Sequence, residues 1–218
     1  MARPVIYFDW DGTLGDSMDL CLGEIRLALK RMGLHEVEEE KIRACNGPTH
    51  EESVGVLGLD PAIGPEFLRQ RRIAEQELIP QLLTVYPGTE QMLASLSQIA
   101  DLAIVSNGQE DYIRTSVEIM GYARYFTRLQ ASIPGLGKTE VLRKMLEEMQ
   151  PERACLVGDR RTDIEAGYAN ALPTLAVTYG YGEAQEFVHA TARAGSVAAA
   201  QHMLETWVAL GHFGENET

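Results

Sequence analysis

The chain has 218 residues, 45% of them hydrophobic, which is enough to bury one substantial core and argues against disorder. With 32 acidic and 19 basic side chains its formal net charge is −13, so it would repel a nucleic-acid backbone or an anionic membrane surface. No apolar run approaches the roughly 20 residues of a membrane span, Asp9 interrupts the N-terminus before a signal peptide can form, and the three cysteines lack metal-binding spacing. We therefore expect a cytoplasmic monomer or homodimer with reduced thiols that binds neither nucleic acid nor membrane.

The first predicted element is a strand over residues 5–8, an uninterrupted run of β-forming apolar residues that ends at Asp9. Four similar runs predict further strands at 102–105, 126–131, 154–157 and 174–177. Helical patterns lie between the runs; over 139–149 the apolar side chains form one helical stripe. This alternation predicts an α/β fold, a Rossmann-like three-layer sandwich with a mainly parallel central sheet.

The segment 16–86 breaks this alternation because it shows no convincing strand. Its patterns predict four helices, over 17–32, 38–45, 49–57 and 65–79. We interpret the segment as a helical domain inserted after the first strand, between the two parts of a core formed by 1–15 and 87–218. The last residues, 211–218, are polar enough to fray.

Polar side chains follow the ends of several predicted strands. They are Asp9, Asp11, Ser106, Asn107, Asp159 and Asp163. In open α/β sheets this edge is where ligands bind. Carboxylates converging there would repel one another by about 4 kcal/mol per close pair at an effective dielectric constant near 20. They require a cation, and oxygen ligands with retained waters suit Mg²⁺.

Asp9 and Asp11 are two residues apart, so in an extended chain their side chains lie on the same side. Such a pair can divide the roles of nucleophile and general acid/base. Lys138 stands at a helix start and offers a cation to the nucleophile and to a phosphoryl oxygen. Ser106 and Asn107 can present a hydroxyl and backbone N–H groups to the same oxygens.

Four motifs occur in order along the chain: Asp9-Trp10-Asp11-Gly12-Thr13-Leu14, Ser106-Asn107, Lys138, and Gly158-Asp159 with Asp163. Their order and spacing resemble the signature of the haloacid dehalogenase superfamily, and they span the whole core. The helical insertion resembles the cap domain of the phosphoglycolate phosphatase subgroup. Trp10 departs from the Phe or Leu common in that motif, and we expect it to pack in the core.

The resemblance implies an Mg²⁺-dependent phosphatase that acts on a small phosphate monoester, with 2-phosphoglycolate as the first candidate. Asp9 would form an aspartyl phosphate, and Asp11 would protonate the leaving oxygen and then activate water. Mg²⁺ would be held by Asp9, by the Asp11 backbone carbonyl and by Asp159, with Asp163 orienting a bound water or Lys138. The phosphoryl oxygens would be held by Gly12, Thr13, Ser106, Asn107 and Lys138.

Several alternatives stay open or weigh less. A sugar-phosphate mutase or an inorganic pyrophosphatase of the same fold would use the same motifs, and a receiver-like or non-catalytic phosphate-binding protein is the non-enzyme alternative. Asp11 argues against a dehalogenase, which has no equivalent acid. A P-loop NTPase is disfavoured because Ser132 stands where the motif ending in Gly137-Lys138-Thr139 requires glycine.

Substrate selection is assigned to a turn between predicted helices of the insertion. Residues 46–50 interrupt the helical pattern where related phosphatases place a substrate-facing loop, and Arg43 lies nearby. We expect Arg43, Thr49 and His50 to face the small phosphorylated substrate; an ordinary helix-helix turn is the alternative. A basic group at 69–72, with Arg69, Arg71 and Arg72, is expected to form a solvated face.

Overall fold

The structure, a computed structural model, describes residues 3–213. Its strands are β1 (Val5–Phe8), β2 (Gly15–Asp16), β3 (Thr84–Val85), β4 (Asp101–Val105), β5 (Phe126–Gln130), β6 (Ala154–Gly158), β7 (Thr174–Val177) and β8 (Ala192–Ala194). Six of them form one sheet in the order β5-β4-β1-β6-β7-β8, and every neighbouring pair is parallel. The strand β1 therefore lies inside the sheet, between β4 and β6.

Helices cover both faces of this sheet. They are α1 (Met18–Arg31), α2 (Glu39–Arg43), α3 (His50–Val56), α4 (Gly64–Leu82), α5 (Thr89–Ile99), α6 (Glu110–Ile119), α7 (Lys138–Met149), α8 (Arg161–Ala169) and α9 (Val197–Leu210). Side chains of β1 alternate between two cores: Ile6 and Phe8 pack with α5, α6 and α9, whereas Val5 and Tyr7 pack with α7. The predicted three-layer α/β fold is confirmed.

The helices α1 to α4 form a helical insertion between β2 and β3. These two short strands pair antiparallel, Gly15 with Val85 and Asp16 with Thr84, so the chain leaves and re-enters the sheet domain side by side. Within the insertion, α1 packs along α4, around a separate apolar core that includes Ile25. The expected insertion after the first strand is confirmed; the exact domain boundaries stay a prediction.

Several local features differ from the expectations. The strand β8 was not predicted, because its three residues include Arg193 and show no apolar run. The ribbon of β2 and β3 was not predicted either, because strands of two residues are too short to show a periodic pattern. The helix α4 continues past the predicted end at residue 79 through Pro80, which lies in its last turn, so only a short stretch of helix follows the hydrogen bond that the proline removes.

Three other expectations concern the chain as a whole. Among the described residues, no helix is both long and apolar enough to cross a membrane. All three cysteines are buried and unpaired. Gly211 ends α9 with a φ of 82°, in the left-handed region that favours glycine; of the expected frayed segment, residues 214–218 lie outside the described residues.

Candidate active site

The sheet brings polar residues from distant parts of the chain to one edge. Asp9 follows β1, Ser106 follows β4 and Asp159 follows β6, and these three strands are neighbours. All three side chains are buried. The edge predicted to carry the chemistry is therefore one compact site at the carboxyl ends of parallel strands.

Lys138 joins two of the carboxylates. Its Nζ lies 2.9 Å from Asp9 Oδ2 and 2.6 Å from Asp163 Oδ1. The other Asp163 oxygen accepts a hydrogen bond from the Arg160 amide at 2.9 Å, which fixes Asp163 at the start of α8. Burial lowers the pKa of Lys138, but Asp163 and Asp9 more than offset this and hold the pKa above its usual value. Lys138 is therefore a fixed cation beside the predicted nucleophile.

Asp159 lies against the backbone of the first motif. Its Oδ2 accepts a hydrogen bond from the Tyr181 amide at 2.7 Å, and its Oδ1 lies 3.4 Å from Thr13 Oγ1. A Cβ on Gly12 would stand 2.1 Å from Asp159 Oδ2, and Gly12 has a φ of +74°, so both space and backbone require glycine there. Burial and Asp163 raise the pKa of Asp159 to about 7.

These carboxylates meet the requirements of a divalent cation. Oxygen atoms of Asp9, Asp159 and Asp163 lie within 4.8 Å of one another, and all three residues are buried. Lys138 alone does not balance three carboxylates, and burial and Asp163 raise the pKa of Asp9 well above its usual value. Carboxylate oxygens with a deficit of positive charge suit Mg²⁺.

Asp11 occupies a different environment from Asp9. Its Oδ1 accepts a hydrogen bond from the Tyr112 hydroxyl at 2.5 Å, and its carboxylate does not belong to the metal-binding group. Burial raises the pKa of Asp11, and hydrogen bonds from Ser17 and Tyr112 offset part of the rise. A carboxyl group that faces a cavity and has a raised pKa suits proton transfer. The metal contact assigned to the Asp11 carbonyl stays a prediction.

The predicted phosphate-binding residues have other partners in this structure. Ser106 Oγ accepts a hydrogen bond from the Gly108 amide at 3.0 Å, and the Gly12 amide donates to the Gly15 carbonyl at 2.8 Å. Asn107 Nδ2 donates to the carbonyl of Gly47, in the helical insertion, at 2.8 Å. Ser106 and Asn107 also line a cavity that Asp9 and Asp11 share. Their binding of phosphate stays a prediction.

The cavity between the sheet edge and the helical insertion has a volume of about 40 Å³. Two contacts bridge its sides: the hydrogen bond of Asn107 with Gly47 and that of Arg160 Nη1 with the Asn46 carbonyl. Pockets that bind small molecules usually measure about 300–1,000 Å³. Binding of a phosphate ester here therefore requires the insertion to shift relative to the sheet.

The three residues expected to select the substrate have different positions. His50 is buried and lines the cavity. Thr49 instead caps α3: its amide donates to Glu52 Oε2 at 2.8 Å, and its Oγ1 accepts from the Glu52 amide at 3.4 Å. Arg43 is exposed and pairs with Glu39 at 2.7 Å, outside the cavity. The structure thus brings His50, but not the side chains of Arg43 and Thr49, to the site.

The expectation that Arg69, Arg71 and Arg72 form a solvated face is wrong for Arg71. Arg69 and Arg72 are exposed, but Arg71 is 3% exposed and bonds to Glu24, which is 2% exposed. The sequence contained a signal for this pair, since Glu24 and Arg71 occupy positions of the apolar stripes of α1 and α4. Charged residues at such positions indicate a buried polar cluster. Glu75, one turn after Arg71, and Tyr112 are further cavity residues that the sequence analysis missed.

The site residues, together with a parallel sheet covered by helices on both faces, define a class of protein. Comparison with known protein families identifies that class. Residues 6–177 match the family model of the haloacid dehalogenase-like hydrolases, and the chain belongs to this family. The resemblance seen in the four motifs is therefore confirmed. The match includes the predicted nucleophile Asp9 and extends past Asp163.

Curated relatives carry more than one activity. The chain is 28% identical over 188 residues to a phosphoglycolate phosphatase of Synechococcus elongatus, covering 85% of this chain and 88% of the relative. It is also 28% identical over 193 residues to the tyrosine-protein kinase PtkA of Mycobacterium tuberculosis, covering 86% of this chain and 66% of the relative. A crystal structure described as a predicted phosphatase from Clostridium acetobutylicum has a TM-score of 0.84 at 22% identity, covering 94% of this chain and 100% of that chain. The structural likeness shows the fold alone.

Proposed function

We propose that this protein is an Mg²⁺-dependent phosphatase that hydrolyses a small phosphate monoester through an aspartyl phosphate on Asp9. The observation that carries the proposal is the position of Lys138, which lies within 2.9 Å of Asp9 and 2.6 Å of Asp163. This arrangement holds a nucleophilic carboxylate beside a cation that a phosphoryl oxygen can share. Membership of a hydrolase family supports it.

The reaction divides between the two aspartates of the first motif. An Asp9 oxygen attacks phosphorus and the bond to the leaving oxygen breaks, while Asp11 donates its proton to that oxygen. Asp11 then accepts a proton from water, whose oxygen attacks phosphorus, and the bond to Asp9 breaks. Tyr112 orients Asp11 through its 2.5 Å hydrogen bond. Lys138 and Ser106 stabilise the negative charge of the phosphoryl oxygens.

The carboxylates of Asp9, Asp159 and Asp163 would hold the metal ion. Bound there, Mg²⁺ would offset the charges of the nucleophile and the phosphoryl group. Asp163 has a second task, because one of its oxygens contacts Lys138 and the other accepts from the backbone of α8. It thus positions Lys138 as well as adding negative charge to the metal site.

The substrate proposed from the names of relatives is 2-phosphoglycolate. Its support is the 28% identity to phosphoglycolate phosphatases, among them that of Synechococcus elongatus. A kinase with the same 28% identity shows that this similarity does not fix the activity. The compound therefore serves as one member of a substrate panel.

The test is phosphate release from 2-phosphoglycolate, p-nitrophenyl phosphate, sugar phosphates and pyrophosphate, each with Mg²⁺ and with a chelator. We expect metal-dependent release by the native protein. The Asp9→Asn variant should release none and form no covalent phosphoprotein, because the amide cannot attack phosphorus. Release by a folded Asp9→Asn protein, or release unaffected by chelator, would contradict the mechanism. Recovery of an isomeric sugar phosphate without free phosphate would instead indicate a mutase.

A further inference from the structure

The wall of the cavity opposite the sheet is built from four charged or titratable side chains of the helical insertion. We call Glu24, His50, Arg71 and Glu75 the polar cluster. All four are at least 94% buried, since their exposed fractions are 2%, 6%, 3% and 2%, and all four line the cavity with Asp9 and Asp11. The mechanism above uses none of them, although they face its proton donor.

The hydrogen bonds within the polar cluster leave several groups open. Arg71 donates to Glu24 Oε1 through Nε and lies 2.7 Å from it through Nη2, and His50 Nε2 lies 3.3 Å from Glu75 Oε1. No described residue bonds to Arg71 Nη1, His50 Nδ1 or Glu75 Oε2. A buried polar atom without a partner destabilises the folded protein. A ligand that supplied the missing partners would remove that destabilisation.

The charge of the cavity favours some ligands over others. Four carboxyl groups line it, those of Asp9, Asp11, Glu24 and Glu75. Among the described lining residues Arg71 is the one permanent cation, and Glu24 already pairs with it. Burial and Arg71 lower the pKa of His50 to about 4, so this imidazole is neutral near pH 7. Arg71 Nη1 is an open donor, but a carboxylate there would bring a second negative charge to a guanidinium that already pairs with Glu24.

A metal ion is a poor occupant of the polar cluster. Oxygen and nitrogen atoms of Glu24, His50 and Glu75 lie within 4.8 Å of one another, which is ligand spacing. However, the guanidinium of Arg71 makes both of its contacts to Glu24 Oε1, at 2.7 Å. A divalent cation beside that oxygen would meet the repulsion of a fixed positive charge. A hydrogen-bond donor can bind Glu75 without displacing Arg71.

The polar cluster lies where the leaving group of a phosphate ester must extend. Asp11 protonates the leaving oxygen, and Glu75 and His50 line the same cavity as Asp11. A leaving group that starts at Asp11 therefore extends into the polar cluster. This inference rests on the phosphatase function: we infer that the substrate carries a hydroxyl group, not a carboxylate, and that this hydroxyl donates to Glu75.

Four monoesters that differ in one terminal group test this inference. They are 2-hydroxyethyl phosphate, 2-aminoethyl phosphate, ethyl phosphate and 2-phosphoglycolate. We expect kcat/KM to be higher by about tenfold or more for the hydroxyl compound than for the other three, because sites built to bind a hydroxyl reject analogues lacking it. Equal values for all four, or a preference for any of the other three, would overturn the inference.

Two variants of Glu75 connect the preference to this residue. Glu75→Leu removes the acceptor and should lower kcat/KM for the hydroxyl ester more than for ethyl phosphate, which abolishes the preference. Glu75→Gln keeps an acceptor, so it should preserve the preference for the hydroxyl ester. Glu40→Gln, at an exposed residue of the same insertion, is the control. Equal losses on all four esters in Glu75→Leu would contradict the assignment.

Failure of the inference is distinguishable from failure of the phosphatase function. If the native protein forms no phosphoprotein and releases no phosphate from any ester or from p-nitrophenyl phosphate, the phosphatase proposal and the inference fall together. If p-nitrophenyl phosphate is hydrolysed with Mg²⁺ but the four esters show no preference for the hydroxyl ester, the phosphatase proposal stands and the inference falls.

Discussion

Two aspartates separated by one residue have different partners and therefore different chemistry. Asp9 accepts a hydrogen bond from the Trp10 amide at 2.8 Å and contacts Lys138, so its carboxylate has fixed positive neighbours. Asp11 faces the cavity and bonds to the Tyr112 hydroxyl. The fully buried Trp10 between them anchors the turn in the core, as expected from the sequence.

The replacement Asp11→Asn separates the two chemical steps. The amide cannot take a proton from water, but the nucleophile Asp9 is unchanged. We expect phosphate release to fall by about 100-fold or more, since a general acid/base contributes about 10²–10⁴. A phosphoprotein should accumulate during reaction with p-nitrophenyl phosphate, whose leaving group needs little protonation. Detection by intact-protein mass spectrometry checks this, and unchanged release would contradict the role of Asp11.

Glu75 also predicts how stability varies with pH. Burial raises its pKa to about 8, with Asp11 and Asp111 adding to the rise and Arg71 and Arg72 opposing it. The folded protein therefore binds this proton more tightly than the unfolded chain does. The resulting contribution to the free energy of unfolding is fully present below about pH 4.5 and is lost as the pH rises through 8.

Glu75→Gln cannot titrate, so it should gain free energy of unfolding relative to the native protein between pH 5 and pH 8. Urea unfolding of both proteins at the two pH values measures the difference. The lowered pKa of His50 changes the free energy of unfolding with pH in the opposite direction. His50 is present in both proteins, so this change does not distinguish them. A stability difference that is the same at both pH values would contradict the prediction.

At the scale of elements, a side chain of the sheet domain holds the start of the first inserted helix. Tyr181 follows β7, and its hydroxyl oxygen accepts from the amides of Ser17 at 2.7 Å and Met18 at 3.0 Å. The same hydroxyl donates to Asp16 Oδ1 at 2.9 Å. It thus binds first-turn amides of α1 that have no partner within the helix.

Tyr181→Phe should destabilise the protein by about 1–3 kcal/mol, because it leaves two amides and a carboxylate oxygen without their partner. Urea unfolding gives the total loss, and hydrogen exchange at Met18 should be faster than in the native protein. Tyr168→Phe, at a tyrosine that is 73% exposed, is the matched control. Equal effects of the two replacements would show that the Tyr181 hydroxyl does not hold α1.

The sequence predicted those elements whose residues carry a repeating pattern. The strands β1 and β6 are apolar on both faces and are followed by aspartates, so the sequence predicted both the strands and the candidate site residues after them. The ribbon of β2 and β3 could not, because two residues give no period. The partners of Arg71 and Tyr112 depend on the docking of the insertion on the sheet, which no local pattern encodes.

At the scale of the whole molecule, the small volume of the cavity leads us to expect a second, open form in which the insertion lies farther from the sheet. Cys21 and Cys45 line the cavity and are buried, whereas Cys155 lies within the sheet. Burial raises the pKa of Cys45 to about 11, so its thiol is unreactive while the cavity is closed. Thiol reagents therefore report the opening of the insertion.

Arg160→Ala removes the hydrogen bond from the sheet domain to Asn46. We expect Cys21 and Cys45 to react with a thiol reagent about fivefold faster than in the native protein, as loss of one hydrogen bond worth about 1 kcal/mol would give. Cys155 should keep its rate. Arg114→Ala, at an exposed ion pair within α6, is the control. Acceleration at all three cysteines would indicate general unfolding instead of opening.

The ribbon of β2 and β3 also allows the helical insertion and the sheet domain to change independently during evolution. Because Gly15 pairs with Val85 and Asp16 with Thr84, the ends of the insertion are adjacent whatever lies between them. A different helical domain can therefore replace the insertion between these two strands without a change in the strand order of the sheet. The core segments before β2 and after β3, which carry the proposed catalytic residues, and the insertion proposed to select the substrate can then evolve, or be engineered, independently.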